Sequence, residues 1–525
     1  NMQKHNMRTE KKSSIKNSAT RLVLIALLVL IQTGWMVFLM LKLNAYSTAI
    51  TLTLTFIAVF IALKIFGTHV NSAQRMPWLI VITAVPFFGI CIYLLFGRSI
   101  VTKGMRRRFN GIESDILVNK LSQDETVIDE IAAKDKGIAN QCRYISHTAR
   151  YPVYKNTDVE YYAEADISFA AQIEELKKAE HFIFMEYHAI EDALSFERLK
   201  KVLIEKAQSG VEVRIFYDDL GSIFFLNKEF IKRMREQGIQ CRVFNPLKVV
   251  VNMFMNNRDH RKITVIDGRV GFTGGYNLAD EYFNITHPYG YWKDTGIKLT
   301  GDAVRSLTAS FLTMWNAIDH TDSQADYDKY LDAADNTYKA VDSECYVQPY
   351  SDNPLGQDRI GEDVYLNILK NAKDYVYITT PYLIITDEME RELRLAVKRG
   401  VDVRIVTPGI PDKKMVYKIT RSYYEPLCSA GVRIYEYTPG FCHAKQWVGD
   451  DEVSVVGTIN MDFRSLYLHF ENAVFTYNKG LAAKVKKDML NNFEAGREVT
   501  KDYAKDVIRP LKLGTCILRM ISPLL

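Results

Sequence analysis

The chain has 525 residues, 48% hydrophobic and 25% charged, with a formal net charge of +5 and seven cysteines that form no C-x-x-C pair. Such a composition excludes a disordered or fibrous chain, a disulfide scaffold and a zinc ribbon, and the length predicts more than one domain. The small net charge conceals a division, because residues 1–110 carry 14 Lys/Arg against one Asp/Glu while the remainder is −8.

A basic tail over 1–20 leads into an expected membrane anchor over 21–97. Three runs there are nearly free of charge: Leu22 to Leu41, Ala49 to Leu63 and Pro77 to Phe96. The first and last have the roughly 20 residues that a bilayer crossing needs, and the middle one is marginal. The first run is too long for a signal peptide and is soon followed by another, so an uncleaved, multi-pass anchor in the cell membrane is expected. Lys4, Arg8, Lys11, Lys12, Lys16 and Arg21 precede the anchor, and Arg98, Lys103, Arg106, Arg107 and Arg108 follow it. Both flanks therefore favour the cytoplasm, and the domain beyond them is placed there too. Equal sidedness requires an even number of crossings, so either the short middle run or the Pro86-containing third is expected to be re-entrant or interfacial. Residues 98–140 read as a helical linker, polar and mixed in charge from 110 onward.

From there the chain repeats one plan, predicted as a first domain over 141–337 and a second over 338–525. Phe182-Ile183-Phe184-Met185-Glu186-Tyr187 is echoed by Tyr375-Val376-Tyr377-Ile378-Thr379, and Gly210-Val211-Glu212-Val213-Arg214-Ile215 by Gly400-Val401-Asp402-Val403-Arg404-Ile405. In both copies a glycine ends an amphipathic helix and a β-branched strand follows. The alternation predicts an α/β fold in which helices cover a mixed sheet in each copy.

Each copy then reaches the same signature, H-x-K-x4-D: His260, Lys262 and Asp267 in the first, His443, Lys445 and Asp450 in the second. With ten histidines, chance would supply roughly 0.05 such matches, so two in corresponding places carry information. Two residues apart on a strand, His and Lys face the same way, which suits an anion. Seven residues beyond the histidine, an odd number, the aspartates fall on the opposite face of a continued strand and are expected to brace the fold. Gly274-Gly275-Tyr276-Asn277 and Gly457-Thr458-Ile459-Asn460 follow, small residues that let backbone approach a phosphate and an amide that donates to it. A later carboxylate, Asp294 in one copy and Glu471 in the other, can hold an imidazole in one tautomer. Leu247 to Met255 reads either as an interfacial stretch or as packing under the site, and the tail from Ile508 to Leu525 likewise.

These motifs resemble the phospholipase D superfamily and, within it, the bacterial cardiolipin synthases, and the resemblance extends over nearly the whole chain. Gly271-Phe272-Thr273-Gly274-Gly275-x-Asn277, Trp292-Lys293-Asp294 and Gly457-Thr458-x-Asn460-x-Asp462-x-Arg464-Ser465 carry it beside the two signatures. Thr458 stands where many members have Ser. The resemblance implies two pseudo-twofold-related phospholipase D-like repeats and a catalytic set of His260, Lys262, Asp267, His443, Lys445 and Asp450. One imidazole attacks phosphorus and the other protonates the departing glycerol; His260 is assigned as nucleophile and His443 as acid/base, the near symmetry leaving the reverse open. Lys262, Lys445, Asn277 and Asn460 would bind phosphoryl oxygens, and Asp294 and Glu471 would orient the imidazoles, with no metal and no cofactor.

The implied reaction joins two phosphatidylglycerol molecules into cardiolipin at a membrane, and the assembly is compatible with a homo-oligomer. Another phosphatidyltransferase or a hydrolase on the same scaffold is the nearest alternative. A nuclease would need a broad basic surface that a −8 domain lacks, so nucleic acid is not expected as a partner. A non-catalytic scaffold would be expected to have lost a signature residue.

Overall fold

In a computed structural model of the chain, the described residues are 47–68, 71–94, 103–227, 229–246, 257–333, 337–506 and 512–522, with isolated positions between 27 and 38. Most of the run Leu22 to Leu41 and all of Leu247 to Met255 lie outside them.

The membrane region differs from expectation. The middle run, taken as marginal, forms α1 (Ser47–Phe66), and among the described residues its Ala49–Phe66 stretch is the one helical span long and apolar enough to cross a bilayer. The third run is broken. It divides into α2 (Ser72–Ala84) and α3 (Pro86–Ile92), with Val85 between them at φ −137°. Pro86 has no N–H to continue α2, and its fixed φ suits the first turn of a new helix instead. α1, α2 and α3 pack together around Ala58, Ile65, Trp78, Ile82 and Ile90.

The segment read as a linker is part of the body. α4 (Lys103–Glu113) and the helices Glu125–Lys134 and Lys136–Tyr144 bury Phe109, Ile112, Ile128 and Cys142 in the same core cluster that contains strands of both repeats. Phe109 lies 5.2 Å, ring to ring, from Phe470.

The first repeat contributes β1 (Thr157–Tyr162), β2 (Phe182–Tyr187), β3 (Glu212–Asp218), β4 (Gln240–Phe244), β5 (Lys262–Ile266), β6 (Val270–Gly274) and β7 (Gly296–Gly301). They form a sheet in the order β1-β7-β6-β5-β2-β3-β4. The second contributes β8 (Tyr346–Asp352), β9 (Tyr375–Thr379), β10 (Asp402–Pro408), β11 (Arg433–Tyr437), β12 (Gln446–Gly449), β13 (Val453–Gly457) and β14 (His469–Tyr477), in the corresponding order β8-β14-β13-β12-β9-β10-β11. β2, β3 and β4 run parallel to one another, as do β9, β10 and β11, and the remaining pairs are antiparallel. The second sheet gains Gly496–Glu498 beside β11. β2 is buried along its whole length, as a strand covered on both faces must be.

Helices complete the sandwich. α5 (Val304–Ile318) is buried almost throughout, packing on the first sheet and reaching β8 of the second. Further along come α6 (Lys414–Ser422), α7 (Phe463–Tyr467), α8 (Lys479–Ala495) and α9 (Leu513–Ile521). α8 mirrors α5: it covers the second sheet and touches β1 of the first. The repeats thus exchange helix contacts at their border, where Tyr338, Val341 and Asp342 all bond to Asp158 on β1.

Candidate active site

Two short parallel strand pairs, each joining the repeats, build the site. Arg258–Asp259 pairs with His469–Phe470, the start of β14, and Gly440–Cys442 pairs with Tyr291–Lys293. The first pairing is extended by His260 N donating to Phe470 O at 2.9 Å, the second by His443 N donating to Lys293 O at 2.7 Å. Each histidine is therefore docked by backbone next to the carboxylate of the other repeat. His260 Nδ1 lies 2.9 Å from Glu471 Oε1, and His443 Nδ1 lies 2.7 Å from Asp294 Oδ2. An ionised carboxylate at Nδ1 favours the tautomer with the proton there, leaving Nε2 with a lone pair. The sequence offers a carboxylate per copy but no sign that the pairs cross between copies.

The signature lysines stand where β5 and β12 begin. Lys262 Nζ donates to His260 O at 2.5 Å, and Lys445 Nζ is 2.8 Å from His443 Nδ1. All four groups are buried, with His260 9% and His443 6% exposed. Burial, reinforced by the charge of Lys262, holds the His260 imidazole well below its usual range. Burial and Lys445 bring His443 down to about 3, against the pull of Asp294. Burial also lowers Lys262 to about 7 and Lys445 to about 8. Lys445 bears on His260 and Lys262 on His443, so the two pairs act on one region of space. The carboxylates differ: burial pushes Glu471 up to about 8 despite Lys262, whereas Asp294 is kept low because Lys445 and His443 outweigh its desolvation.

The signature aspartates, grouped by the motif with the catalytic set, belong elsewhere. Asp267 Oδ1 and Oδ2 accept from the backbone amides of Glu180, His181 and Phe182, and Asp450 accepts from those of Lys373, Asp374 and Tyr375. Both sit at positive φ, 53° and 52°, in the turn after β5 or β12 and clamp the start of β2 or β9. The turn, rather than strand alternation, aims these carboxylates at the backbone.

The glycine turn also has a different use from a phosphate approach. A Cβ on Gly275 would lie 2.0 Å from Asp294 Oδ1, so the missing side chain makes room for the carboxylate. In the second copy the matching Thr458 hydroxyl reaches Glu471 Oε2. Asn277 is built into the wall, accepting from Ala189 N and donating to Tyr282 OH, while Asn460 Oδ1 is buried without a hydrogen-bond partner among the described residues.

Neighbours that the motifs do not name distinguish the two halves. His188 and His469 lie 5.0 and 5.9 Å from His260, ring to ring. His443 instead faces Tyr282, Trp292 and Phe441 at 5.3 to 5.7 Å. His188 stands just past β2, at the sheet end where such sites form, the one available sequence signal for it. Among the described residues no three His, Cys, Asp or Glu side chains cluster as metal ligands would.

The family described as cardiolipin synthase, PLD-like domain, matches residues 172–315 and 365–493, one stretch in each repeat. A cardiolipin synthase of Geobacillus thermodenitrificans is 34% identical over 496 residues, covering 92% of this chain and 94% of its own. The chain belongs to the cardiolipin synthase family of phospholipase D-like proteins. An uncharacterized protein of Streptococcus mutans is 39% identical over 465 residues, covering 88% of this chain and 99% of its own. A further family, Phospholipase D-nuclease N-terminal, matches residues 53–98, the region of α1 to α3. In fold, the phosphatidylserine synthase of Haemophilus influenzae superposes with a TM-score of 0.51 at 14% identity, over 70% of this chain and 93% of that one. The two family matches thus cover both repeats and the region of α1 to α3.

Proposed function

We propose that the protein is a cardiolipin synthase that transfers the phosphatidyl group of one phosphatidylglycerol to the hydroxyl of another, giving cardiolipin and glycerol. The observation that carries this reading is the pair of crossed His–carboxylate couples beside two buried lysines, in a chain of the cardiolipin synthase family. A phosphodiester repels nucleophiles, so its site must offset charge, supply an attacking group and protonate a poor leaving alkoxide. Lys262 and Lys445 offset the charge of the phosphoryl oxygens, with Asn460 supplying a further polar contact. His260 Nε2 attacks phosphorus and forms a phosphohistidine, while Glu471 supports the charge that grows on its ring. His443, taking up a proton as the anion enters, gives it to the departing glycerol and recovers it from the acceptor hydroxyl. Asp294, held ionised, stabilises the imidazolium form of His443 during that exchange. The anchor is multi-pass in this reading and keeps the catalytic body at the cytoplasmic face, supported by the basic residues on both flanks.

The test is to supply the purified full chain with phosphatidylglycerol in the presence of a chelator and follow products by mass spectrometry. Cardiolipin and glycerol in equal amounts are expected. Phosphatidic acid as the sole product would instead make the protein a hydrolase, and loss of turnover on chelation would contradict the metal-free scheme.

A further inference from the structure

The catalytic body beyond residue 110 is negatively charged, yet it must work on a surface of anionic lipid. One face reverses that charge. α6 carries Lys414 and Lys418, with Lys413 just before it, and α9, preceded by Lys512, packs against α6. These four lysines are exposed, and none forms a salt bridge among the described residues. Interleaved with them are apolar side chains in water: Met415 is 51% exposed, Leu513 77% and Ile517 50%. Leu513 and Ile517 are one turn apart on α9, so they share a face. The opposite side of α9 is fixed, with Leu518 against the core and the Arg519 guanidinium 3.7 Å from the centre of the Tyr423 ring.

The depth of this face is set by the anchor. α1 ends at Phe66, with Lys64 in its last turn, and the chain turns directly into α2, where Arg75 donates to Phe66 O at 2.7 Å. α9 packs on α2 as well as on α6. The mixed basic and apolar face therefore lies level with the end of the membrane helix, where a bilayer surface begins. Asn71, the N-cap of α2, also donates to Tyr467 OH at 3.2 Å on α7, a few residues beyond Asn460.

The geometry points to α6 and α9 as a docking surface for an anionic bilayer, with Leu513, Ile517 and Met415 entering the headgroup boundary and Lys413, Lys414, Lys418 and Lys512 meeting lipid phosphates. Apolar burial combined with basic attraction is how interfacial helices hold to such membranes. The surface seats the −8 body against its own substrate layer, and the occupant is lipid rather than protein.

The test places an environment-sensitive fluorophore on Ile517→Cys, in a Cys91→Ser, Cys516→Ser background of the full chain. The protein is reconstituted in nanodiscs of phosphatidylcholine alone or with phosphatidylglycerol. In the mixed discs the emission is expected to shift to the blue and to be quenched by nitroxide-labelled lipid. Each lysine near an anionic leaflet strengthens attachment roughly fivefold, so Lys414→Glu with Lys418→Glu should return the label to water. These exposed substitutions leave the packing of α6 intact, which circular dichroism checks. A water-like emission in both discs would overturn the proposal, as would a blue shift without lipid quenching, the result expected of a contact between two copies. The readout is independent of turnover, so failure of the catalytic reading would leave it interpretable.

Discussion

Each imidazole in the site is oriented by a carboxylate from the other repeat, and this determines what each carboxylate substitution should do. In the proposed scheme, with a phosphatidyl ester of p-nitrophenol, whose leaving group needs no acid, formation of the phosphatidyl-enzyme depends on His260 and its resolution on His443. Asp294→Asn is therefore expected to accumulate the covalent intermediate and Glu471→Gln to form little of it, each with turnover reduced about 100-fold. Trapping the intermediate by rapid alkaline quench reads the outcome, and the opposite pattern would exchange the two histidine roles. The lysines predict a pH effect at the same scale. Lys262 and Lys445, lowered to about 7 and about 8, are charged below those values and neutral above them. Binding of the anionic lipid should accordingly weaken as pH rises through 7 to 8, with KM increasing more than kcat falls, because bound phosphate favours the charged lysine. A KM flat to pH 9 in phosphatidylglycerol vesicles would show that the ammonium groups are not titrating there.

At the scale of elements, the turn after β5 and its counterpart after β12 do mechanical work through one aspartate each. Removing Asp267 or Asp450 leaves three backbone N–H groups without acceptors, so Asp267→Ala and Asp450→Ala should each cost about 1–3 kcal/mol in stability. Turnover per folded molecule should be retained, which separates a brace from a participant when thermal unfolding and activity are measured on the same sample. The sequence separates the aspartate from the histidine by strand alternation, but in the structure the strand ends before it and the positive-φ turn aims its carboxylate. The repeated sheet was legible, since glycine-stopped helices followed by Val/Ile-rich strands recur at Gly210 and Gly400. The crossing of the carboxylates was not. It rests on strand pairs of two or three residues, Arg258–Asp259 and Gly440–Cys442, too short to leave a period. Average polarity makes 98–140 look like a linker, yet Phe109, Ile112 and Ile116 trace one helical face, and that face is buried. In the apolar region, Pro86 divides the third run into α2 and α3, whereas the middle run continues as helix to Phe66 through the charged Lys64.

Across the whole molecule, neither repeat contains a complete His–carboxylate couple. His260 needs β14 of the second repeat, His443 needs Trp292-Lys293-Asp294 of the first, and α5 and α8 bind each sheet to the other's edge strand. The core is shared as well, with Val265 and Leu299 in the same cluster as Val376 and Val455. Separating the halves would expose that cluster, a cost far beyond the stability of a single domain. Exchange of repeats between two chains is therefore not expected. A chain carrying His260→Ala mixed with a chain carrying His443→Ala retains one intact couple in each molecule but never both in one site. Co-expressed and co-purified from a host lacking its own cardiolipin synthases, the pair should make no more cardiolipin than either variant alone, at least about 100-fold below the unmodified chain. Restoration of a substantial fraction of wild-type activity would mean that the couples form across a dimer, with the second repeat of one copy completing the first repeat of its neighbour.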